Sequence, residues 1–549
     1  MLSVIGFLII LTPLVVVHEF GHYWFARIFG VRAETFSVGF GPRVFGKKIG
    51  ETDWRISAIP LGGYVKLLGE DREEGLSEEE LLRAVHRAAP WKRFLIFFGG
   101  PLFNFLFAIV IFMAILAIGE KQVASVVGRV VPGSRAAQVG FLSGDRILSI
   151  AGQPVNRFDE VTLSLNQSPG KLMDFEVQRR DSGKKETLKV ISTEEVGLTI
   201  YGEQTRVGEL EGLMPFPRST ETGVSNSGSL AGQAGIVTGD QIATIAGARV
   251  ESWEALELAY GKVAPGASVT VGVIPAASSK KAASSAEMKT YSLTKPQKSL
   301  GFIGQDLGLY SSELFVERAV EDSPARKAGL QHGDRIVTVA GKVVQSFPQL
   351  REFIQKTTEK DGKVEVVWER AGKNISAVLT PTATVGKDPL LNRIVTYTIG
   401  VMPKVTYAEP EYFIQQTWNP FKLLYRGTER MITLTIRNFV SIGKMLTGAV
   451  SAKTLGGPIM IGKIAGESLS HGLIAVLTTM GILSIGLGVL NVLPVPVLDG
   501  GHLVLLLIEG IRGKPLTMKQ MEIIQMVGLG LILMLMVVVF KNDISRLSS

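Results

Sequence analysis

Four apolar stretches at the two ends of the chain constrain its fold most strongly: residues 1–25, 94–118, about 472–492 and 523–540. A helix of roughly 20 apolar residues spans the hydrocarbon core of a bilayer. The region between them is polar, although mean hydropathy is +0.27 overall. The pattern therefore predicts an α-helical transmembrane core of about four spans with a water-exposed middle. The first stretch lacks a basic start and a cleavage site, so we expect it to be retained.

Positive charge near the ends of these stretches predicts their orientation, because cytoplasmic loops are rich in Lys and Arg. Basic residues follow the first stretch and separate the last two: Arg27, Arg32, Arg43, Lys47, Lys48, Arg512, Lys514 and Lys519. Both loops are predicted to be cytoplasmic, with the termini and residues 120–415 on the opposite side. These loops explain much of the net charge of +8, which argues against a nucleic-acid partner. The chain has no cysteine, which excludes disulfides and thiolate ligands.

The middle of the chain contains one pattern three times, as SRAAQVGFLSGDRILSIAGQPV, SLAGQAGIVTGDQIATIAGARV and SPARKAGLQHGDRIVTVAGKVV. The aligned glycines are 95 and 94 residues apart: Gly140, Gly235 and Gly329. This interval predicts three small α+β domains. We expect Asp145, Asp240 and Asp334 to form turns before a strand rather than to act in catalysis. The Ala/Ser/Lys-rich stretch 275–289 predicts a flexible loop in the second copy.

The sequence HEFGH places His18 and His22 four residues apart, so that both imidazoles project from one helix face and can bind one metal ion. Glu19 is the candidate general base for water activated by a zinc ion. Ionisable side chains that end an apolar run are costly to bury, which favours a functional role. The alternative is that the histidines cap the helix at the membrane interface.

A catalytic zinc site usually has three protein ligands, and Asp499 in NVLPVPVLDGGH is the predicted third. It follows a long, nearly uncharged run, and the prolines and glycines around it predict irregular backbone lining a cavity. Asn491 has two open roles, holding a substrate carbonyl or its oxyanion, or bonding between helices. For His502 we favour a supporting or structural role over that of a ligand.

Five motifs together resemble the site-2 protease family, and closely its bacterial RseP-type members: HEFGH, PLGGYVK at 60–66, GGPLFNF at 99–105, TLGGPI at 454–459 and NVLPVPVLDGGH at 491–502. The three repeats resemble PDZ domains, in which a groove binds peptide or protein termini as an added strand. The resemblance implies zinc as cofactor, with His18, His22 and Asp499 as ligands, Glu19 as catalytic glutamate and Asn491 in contact with substrate. Three repeats depart from the two PDZ modules typical of RseP-type members.

The resemblance further implies an intramembrane endopeptidase of the bacterial inner membrane whose PDZ-like domains lie outside the cytoplasm and filter substrates by size. Its partners would be single-span membrane proteins, such as anti-sigma factors, and leftover signal peptides. The predicted organisation has six parts: a membrane core at 1–120, PDZ-like domains at 121–203, 204–300 and 301–385, a linker with a membrane-surface helix at 386–470, and a second membrane part at 471–549.

Two segments refine this prediction. Residues 52–68 alternate like a strand, which predicts a membrane-associated β-hairpin; its edge strand would present an unwound substrate, unless the hairpin is an ordinary cytoplasmic one. Residues 418–450 predict an amphipathic helix on the membrane surface. Two other function classes remain as alternatives: a PDZ-bearing scaffold or chaperone with a silent metal site, and a metal transporter, for which the spans offer few further polar residues.

Overall fold

The computed structural model describes residues 2–69, 76–198, 204–276, 288–387, 393–450, 455–513 and 516–548. The described residues form two compact units. The membrane unit comprises residues up to 120 and from 414 onward, and the repeat unit comprises residues 121–198 and 204–413. The loop predicted within 275–289 falls largely on 277–287, outside the described residues.

Four helices of the membrane unit are long and apolar enough to cross a bilayer, which confirms the predicted number of spans. We call them span 1 to span 4, in chain order: Leu2–Ile28, Pro90–Ile118, Leu473–Val492 and Ile523–Ser545. Spans 1 to 3 share one apolar core that includes Ile10, Leu14, Phe112 and Ile485. This core packs spans 1 to 3 against one another, and span 1 carries His18.

The remaining elements of the membrane unit surround these spans. They are the strands Ala33–Ile49 and Thr52–Leu67, the short helices Glu78–Leu81 and Val85–Arg87, the helices Pro420–Leu446, Pro458–Ser470 and Asp499–Arg512, and the helix Met518–Ser548 that contains span 4. The helix predicted at 418–450 is thus Pro420–Leu446, and the Asn419 side chain caps its first turn. Arg430 on this helix forms an ion pair of 2.7 Å with Glu120.

The two long strands form the predicted antiparallel hairpin. Residues 35–38 pair on both sides, so that Phe36 lies opposite both Val65 and Trp54. The segment 63–67 therefore lies at one side of this small sheet. Span 1 runs beside it, and a Cβ on Gly63 would lie 2.9 Å from Val15 Cγ1 and 3.3 Å from Glu19 Cγ. It would also lie 2.7 Å from the Ser37 carbonyl oxygen, so a larger residue would crowd both the helix and the neighbouring strand.

Each repeat of the repeat unit contains a four-stranded antiparallel sheet, and the strand order is the same in all three. The strands, in spatial order, are Gln153–Pro154, Arg146–Ile150, Leu172–Gln178 and Lys185–Ile191; Ala248–Arg249, Gln241–Ile245, Ser268–Ile274 and Lys289–Thr294; and Lys342–Val343, Arg335–Val339, Val364–Arg370 and Lys373–Leu379. One longer helix accompanies each sheet: Phe158–Asn166, Trp253–Gly261 and Phe347–Asp361. This confirms the predicted fold class, a helical membrane core with tandem PDZ-like α+β domains.

The three aspartates of the repeats form turns. Asp145 accepts a hydrogen bond from the Leu142 N–H at 2.8 Å, and Asp240 and Asp334 accept from the N–H of the equivalent residue three positions earlier. Each carboxylate thereby fixes the Gly-Asp turn that begins the second strand of its sheet.

A pair of short strands closes each repeat: Arg129–Val130 with Leu213–Met214, Thr222–Gly223 with Tyr310–Ser311, and Val316–Ala319 with Val401–Pro403. The first and third repeats also carry hairpins, Thr193–Leu198 with Gln204–Glu209 and Thr382–Lys387 with Arg393–Thr398. The other short elements are Glu120–Val123, Arg135–Val139, Leu230–Gln233, Ile303–Leu307, Ser312–Leu314, Pro324–Lys327 and Tyr412–Gln415. Leu210, Leu309 and Ile399 are buried in the first, second and third cores, which therefore extend past the domain ends predicted at residues 203, 300 and 385.

A buried ion cluster joins the three repeats. Glu313 of the third repeat accepts two hydrogen bonds from Arg129 of the first, at 2.9 and 2.7 Å, and one of 3.1 Å from Arg218 of the second. Arg218 also donates to Glu254 at 2.7 Å. We call these four residues the repeat ion cluster. Because bidentate Arg–carboxylate pairs are strong and directional, the cluster fixes the repeats relative to one another.

A strand-like segment that follows the third repeat reinforces this arrangement. The Ser219 N–H donates to the Thr406 carbonyl at 3.0 Å, and the Ala408 N–H donates to the Pro217 carbonyl at 2.9 Å. Further along, the Ala124 N–H of the first repeat donates to the Glu411 carbonyl at 2.8 Å. Backbone hydrogen bonds from residues 406–411 therefore connect this segment to the second and the first repeat in turn.

Candidate metal centre

Three side chains of the membrane unit converge on one point. His18 Nε2 lies 3.2 Å from Asp499 Oδ2, and His22 Nε2 lies 3.5 Å from Asp499 Oδ1. The two Nε2 atoms are 3.3 Å apart. Among the described residues this is the group of His and carboxylate side chains whose ligand atoms are close enough to hold one metal ion. The structure thus brings together the three residues that the sequence predicts as ligands.

Close packing of spans 1 and 2 holds the two histidines in place. A Cβ on Gly21 would lie 2.1 Å from the Gly99 carbonyl oxygen, and a Cβ on Gly100 would lie 2.3 Å from His22 Nε2 and 2.7 Å from His18 Cε1. Any larger residue would displace a backbone or an imidazole. The two glycines of the GGPLFNF motif therefore provide the space in which the imidazoles lie, both of them more than 90% buried.

A tight loop carries Asp499 to the histidines. Span 3 ends at Val492, and the next helix begins at Asp499 after a segment that contains two prolines. A Cβ on Gly500 would lie 2.2 Å from the Leu493 carbonyl oxygen, so glycine is required for the helix to start against this loop. Arg93 of span 2 pairs with Glu509 at 3.1 Å and attaches the same helix at its far end.

The donor atoms fit a cation. The His22 Nδ1–H donates to the Ile96 carbonyl at 2.8 Å, so its Nε2 carries a lone pair that points towards the Asp499 carboxylate. Asp499 Oδ2 is buried and accepts no hydrogen bond. A buried carboxylate oxygen without a donor is costly unless a positive charge lies beside it. Two imidazoles and one carboxylate are a common zinc ligand set that leaves one position open.

Glu19 lies beside this cluster without belonging to it. Its carboxylate interacts electrostatically with the two histidines, with Asp499 and with the Val65 backbone N–H. That N–H belongs to the segment 63–67 of the hairpin. Glu19 therefore stands between the candidate metal ligands and the side of a β-sheet, which is where a general base for peptide hydrolysis would have to be.

The remaining predicted residues are close to the cluster but outside it. Asn491, near the end of span 3, places Nδ2 3.5 Å from His18 Nε2, a distance too long for a strong hydrogen bond. It is half-buried, and both of its predicted roles remain open. His502 stacks on Phe97 with ring centres 4.6 Å apart and planes inclined by 8°. This stacking is consistent with the structural role favoured for His502.

One residue of the site was not singled out from the sequence. Asn104 of span 2 is fully buried, and its Nδ2 lies 3.0 Å from His18 Nδ1. Its backbone carbonyl accepts a hydrogen bond of 2.8 Å from Ser484 of span 3. The signal was present, because Asn104 is a polar side chain inside an apolar span and lies in the GGPLFNF motif.

Comparison with known proteins identifies the family. The model of Peptidase family M50 matches residues 6–535. Protease RseP of Yersinia pestis is 30% identical over 548 residues, which cover 99% of each chain. A Neisseria meningitidis protein provisionally described as a zinc metalloprotease is 31% identical over 549 residues, again 99% of each chain. Regulator of sigma E protease of Haemophilus influenzae is 28% identical over 552 residues, covering 99% of this chain and 98% of its own.

These relatives align with the chain from end to end, through both membrane parts and the repeats. They confirm the resemblance to RseP-type proteases and the predicted enzyme class, a zinc metalloprotease, and they imply a zinc cofactor. With its four apolar helices and a family match that covers nearly every residue, this membrane protein belongs to peptidase family M50.

Proposed function

We propose that this protein is an intramembrane endopeptidase that cleaves single-span membrane proteins. In this proposal His18, His22 and Asp499 hold a zinc ion, and Glu19 is the general base. One observation carries it: the buried ligand atoms of two histidines and an aspartate converge beside a glutamate that is not needed to bind the metal. A purely structural metal site has no use for such a base.

A bound zinc ion would lower the pKa of a water molecule towards neutrality and polarise the peptide carbonyl. Glu19 takes the proton from the attacking water and later delivers it to the leaving amine. The Asn491 amide, whose Nδ2 lies 3.5 Å from His18 Nε2, donates to the substrate carbonyl as negative charge develops on the carbonyl oxygen. The chain's own residues thus supply proton transfer and oxyanion stabilisation.

The hairpin segment 63–67 is the proposed docking strand for substrate. A transmembrane helix must unwind before its backbone reaches a catalytic centre, and an extended segment gains hydrogen bonds by pairing with a strand. The short distance between this segment and Glu19 supports the assignment, because a Cβ on Gly63 would lie 3.3 Å from Glu19 Cγ. A substrate paired there would pass the proposed metal position in extended form.

We place the protein in a bacterial inner membrane with the repeat unit on the extracytoplasmic side, where PDZ-like grooves bind peptide or protein termini and the repeats limit substrate size. The name of the Haemophilus influenzae relative supports anti-sigma factors as substrates, with leftover signal peptides as a second class. We propose the six-part organisation predicted from the sequence, with each PDZ-like domain extended to its closing strand, at Leu213–Met214, Tyr310–Ser311 and Val401–Pro403.

The test combines metal analysis with cleavage of a panel of single-span proteins, each with and without its outer domain. Glu19→Gln should lower cleavage by about 10²- to 10⁴-fold, the usual contribution of a general base, while zinc content stays the same. The matched control is Glu467→Gln, because Glu467 is exposed on the helix Pro458–Ser470. Full proteolysis by the Glu19 variant would defeat the mechanism. Zinc binding by wild type without any cleavage would favour the scaffold alternative.

A further inference from the structure

Asn104 is the one fully buried polar side chain of the membrane unit that touches a candidate ligand and has no part in the mechanism above. It lies on span 2, one helical turn beyond Gly100, in the part of the chain that the structure describes. Its Nδ2 lies 3.0 Å from His18 Nδ1, the ring nitrogen that faces away from the cluster. Its Oδ1 is buried and has no hydrogen-bond partner.

A hydrogen bond between helices does not account for the polar side chain of Asn104. Span 3 is attached through the backbone carbonyl of Asn104, which accepts from the Ser484 hydroxyl at 2.8 Å. The side-chain amide is therefore free to serve His18 alone. Among the described residues the one hydrogen-bond partner of this amide is an imidazole nitrogen, and such a contact can fix the tautomer and the plane of that ring.

The two possible orientations of the Asn104 side-chain amide favour different tautomers of His18. With Nδ2 at the contact, the amide donates to Nδ1 and the ring proton sits on Nε2, where it would block a metal ion. A half-turn of the amide, whose oxygen and nitrogen are nearly equal in size, puts Oδ1 at the contact instead. Oδ1 then accepts the Nδ1–H proton and the Nε2 lone pair faces Asp499, while the amide nitrogen moves to the place where Oδ1 had no partner.

We propose that Asn104 is the positioning residue for the zinc ligand His18, acting through Oδ1 on the Nδ1–H group. This inference rests on the proposed function, because it presumes that His18 binds zinc. His22 offers an internal comparison: its Nδ1–H donates to the Ile96 backbone carbonyl at 2.8 Å. One ligand is thus oriented by the main chain, which no substitution removes, and the other by a side chain.

The experiment measures zinc retention by the purified full-length protein against a competing chelator, independently of activity. Loss of a group that orients a metal-bound histidine typically costs about 10- to 100-fold in affinity. Asn104→Leu, similar in volume but without an acceptor, should lose that much. Asn104→Asp, which keeps an oxygen at the contact, should retain zinc within a few-fold of wild type.

The matched control is Asn438→Leu, because the Asn438 amide bonds only the Leu434 carbonyl of its own helix; it should leave zinc affinity unchanged. Wild-type affinity in Asn104→Leu overturns the proposal. Equal loss in Asn104→Asp and Asn104→Leu also overturns it, because a defect that the acceptor cannot rescue reflects packing. Failure of wild type to bind stoichiometric zinc would instead contradict the proposed function, so the two failures are distinguishable.

Discussion

The molecule contains two buried clusters of charged groups that are built in opposite ways. In the repeat ion cluster both oxygens of Glu313 and both of Glu254 accept hydrogen bonds from arginine side chains or from the backbone. In the membrane unit, by contrast, Asp499 Oδ2 accepts none, and two imidazole nitrogens lie within 3.5 Å of the same carboxylate. In the first cluster every carboxylate oxygen has a donor, although Arg129 Nε has no partner among the described residues, whereas the second leaves a buried carboxylate oxygen without a donor, as suits a cation site.

The difference shows how to tell a structural cluster from a functional one. Burying charge is tolerable when every charge is paired, and such clusters mainly fix one arrangement of parts. A buried cluster with an excess of acceptors has a cost that only a ligand removes. Counting the buried carboxylate oxygens that lack a donor, rather than the charges, separates the two.

The largest expected effect comes from replacing one carboxylate by an amide in each of the two clusters. Asp499→Asn should abolish zinc binding and cleavage, because an amide is a poor replacement for a carboxylate ligand, and should leave the repeat unit intact. Glu313→Gln should leave zinc in place but lower the unfolding free energy of the repeat unit by about 3–5 kcal/mol, because buried Arg129 loses its carboxylate partner, whereas Arg218 keeps Glu254.

Zinc content per chain and amide hydrogen exchange in the strands of the repeats measure these two outcomes separately. The comparison would be broken if Glu313→Gln removed zinc. It would equally be broken if Asp499→Asn weakened the protection of the repeat strands.

A substitution at Gly100 sharpens the comparison on the membrane side. In Gly100→Ala the new Cβ would lie 2.3 Å from His22 Nε2, so an imidazole or span 2 must move. Overpacking of this kind costs about 1–3 kcal/mol, and here we expect much of it to appear as weaker zinc binding. Gly486→Ala in span 3 is the control, because a Cβ there meets no atom within 4 Å. Equal zinc affinity in the two variants would contradict the packing described for the metal centre.

The smallest expected effect concerns another fully paired carboxylate of the repeat unit. Burial by itself would raise the pKa of Asp306, but hydrogen bonds from Ser299, the Leu300 N–H and Tyr260 outweigh it and hold that pKa below its usual range. Since the folded-state pKa is lower than the unfolded one, the carboxylate stabilises the fold above the ordinary aspartate pKa. That stabilisation is lost as the pH falls through the folded-state value.

Asp306→Asn should therefore be less stable than wild type at pH 6 and should lose less stability on acidification to pH 3. Hydrogen exchange of the second repeat at the two pH values measures this. An unchanged pH dependence in the variant would show that the three hydrogen bonds do not favour the charged form.

The features that could be predicted from the sequence are those whose residues lie close together along the chain or recur in it. HEFGH and Asp499 stand out because ionisable residues are expensive in apolar segments, and the three Gly-Asp turns stand out because they recur. Glu313 gave no such signal, because its partners Arg129 and Arg218 lie 184 and 95 positions away and each looks like an ordinary surface charge.

The ends of the repeats were missed for a related reason. The first repeat is closed by a strand of two residues, Leu213–Met214, which is too short for its alternation to be recognised. Asn104 was overlooked because one amide in an apolar helix is equally typical of contacts between helices. Only the direction of its side chain towards His18 distinguishes the two roles.

The contact between Gly21 and Gly99 limits where a polypeptide can enter. Because a single added carbon on Gly21 would overlap the main chain of its neighbour, no lipid tail or peptide fits between spans 1 and 2 at the level of the histidines. The entrance for a protein that is to be cut must open on another flank of the helix that bears Glu19, where the hairpin and Asn491 are found. This glycine contact thus closes the gap between spans 1 and 2 to an incoming chain at that level.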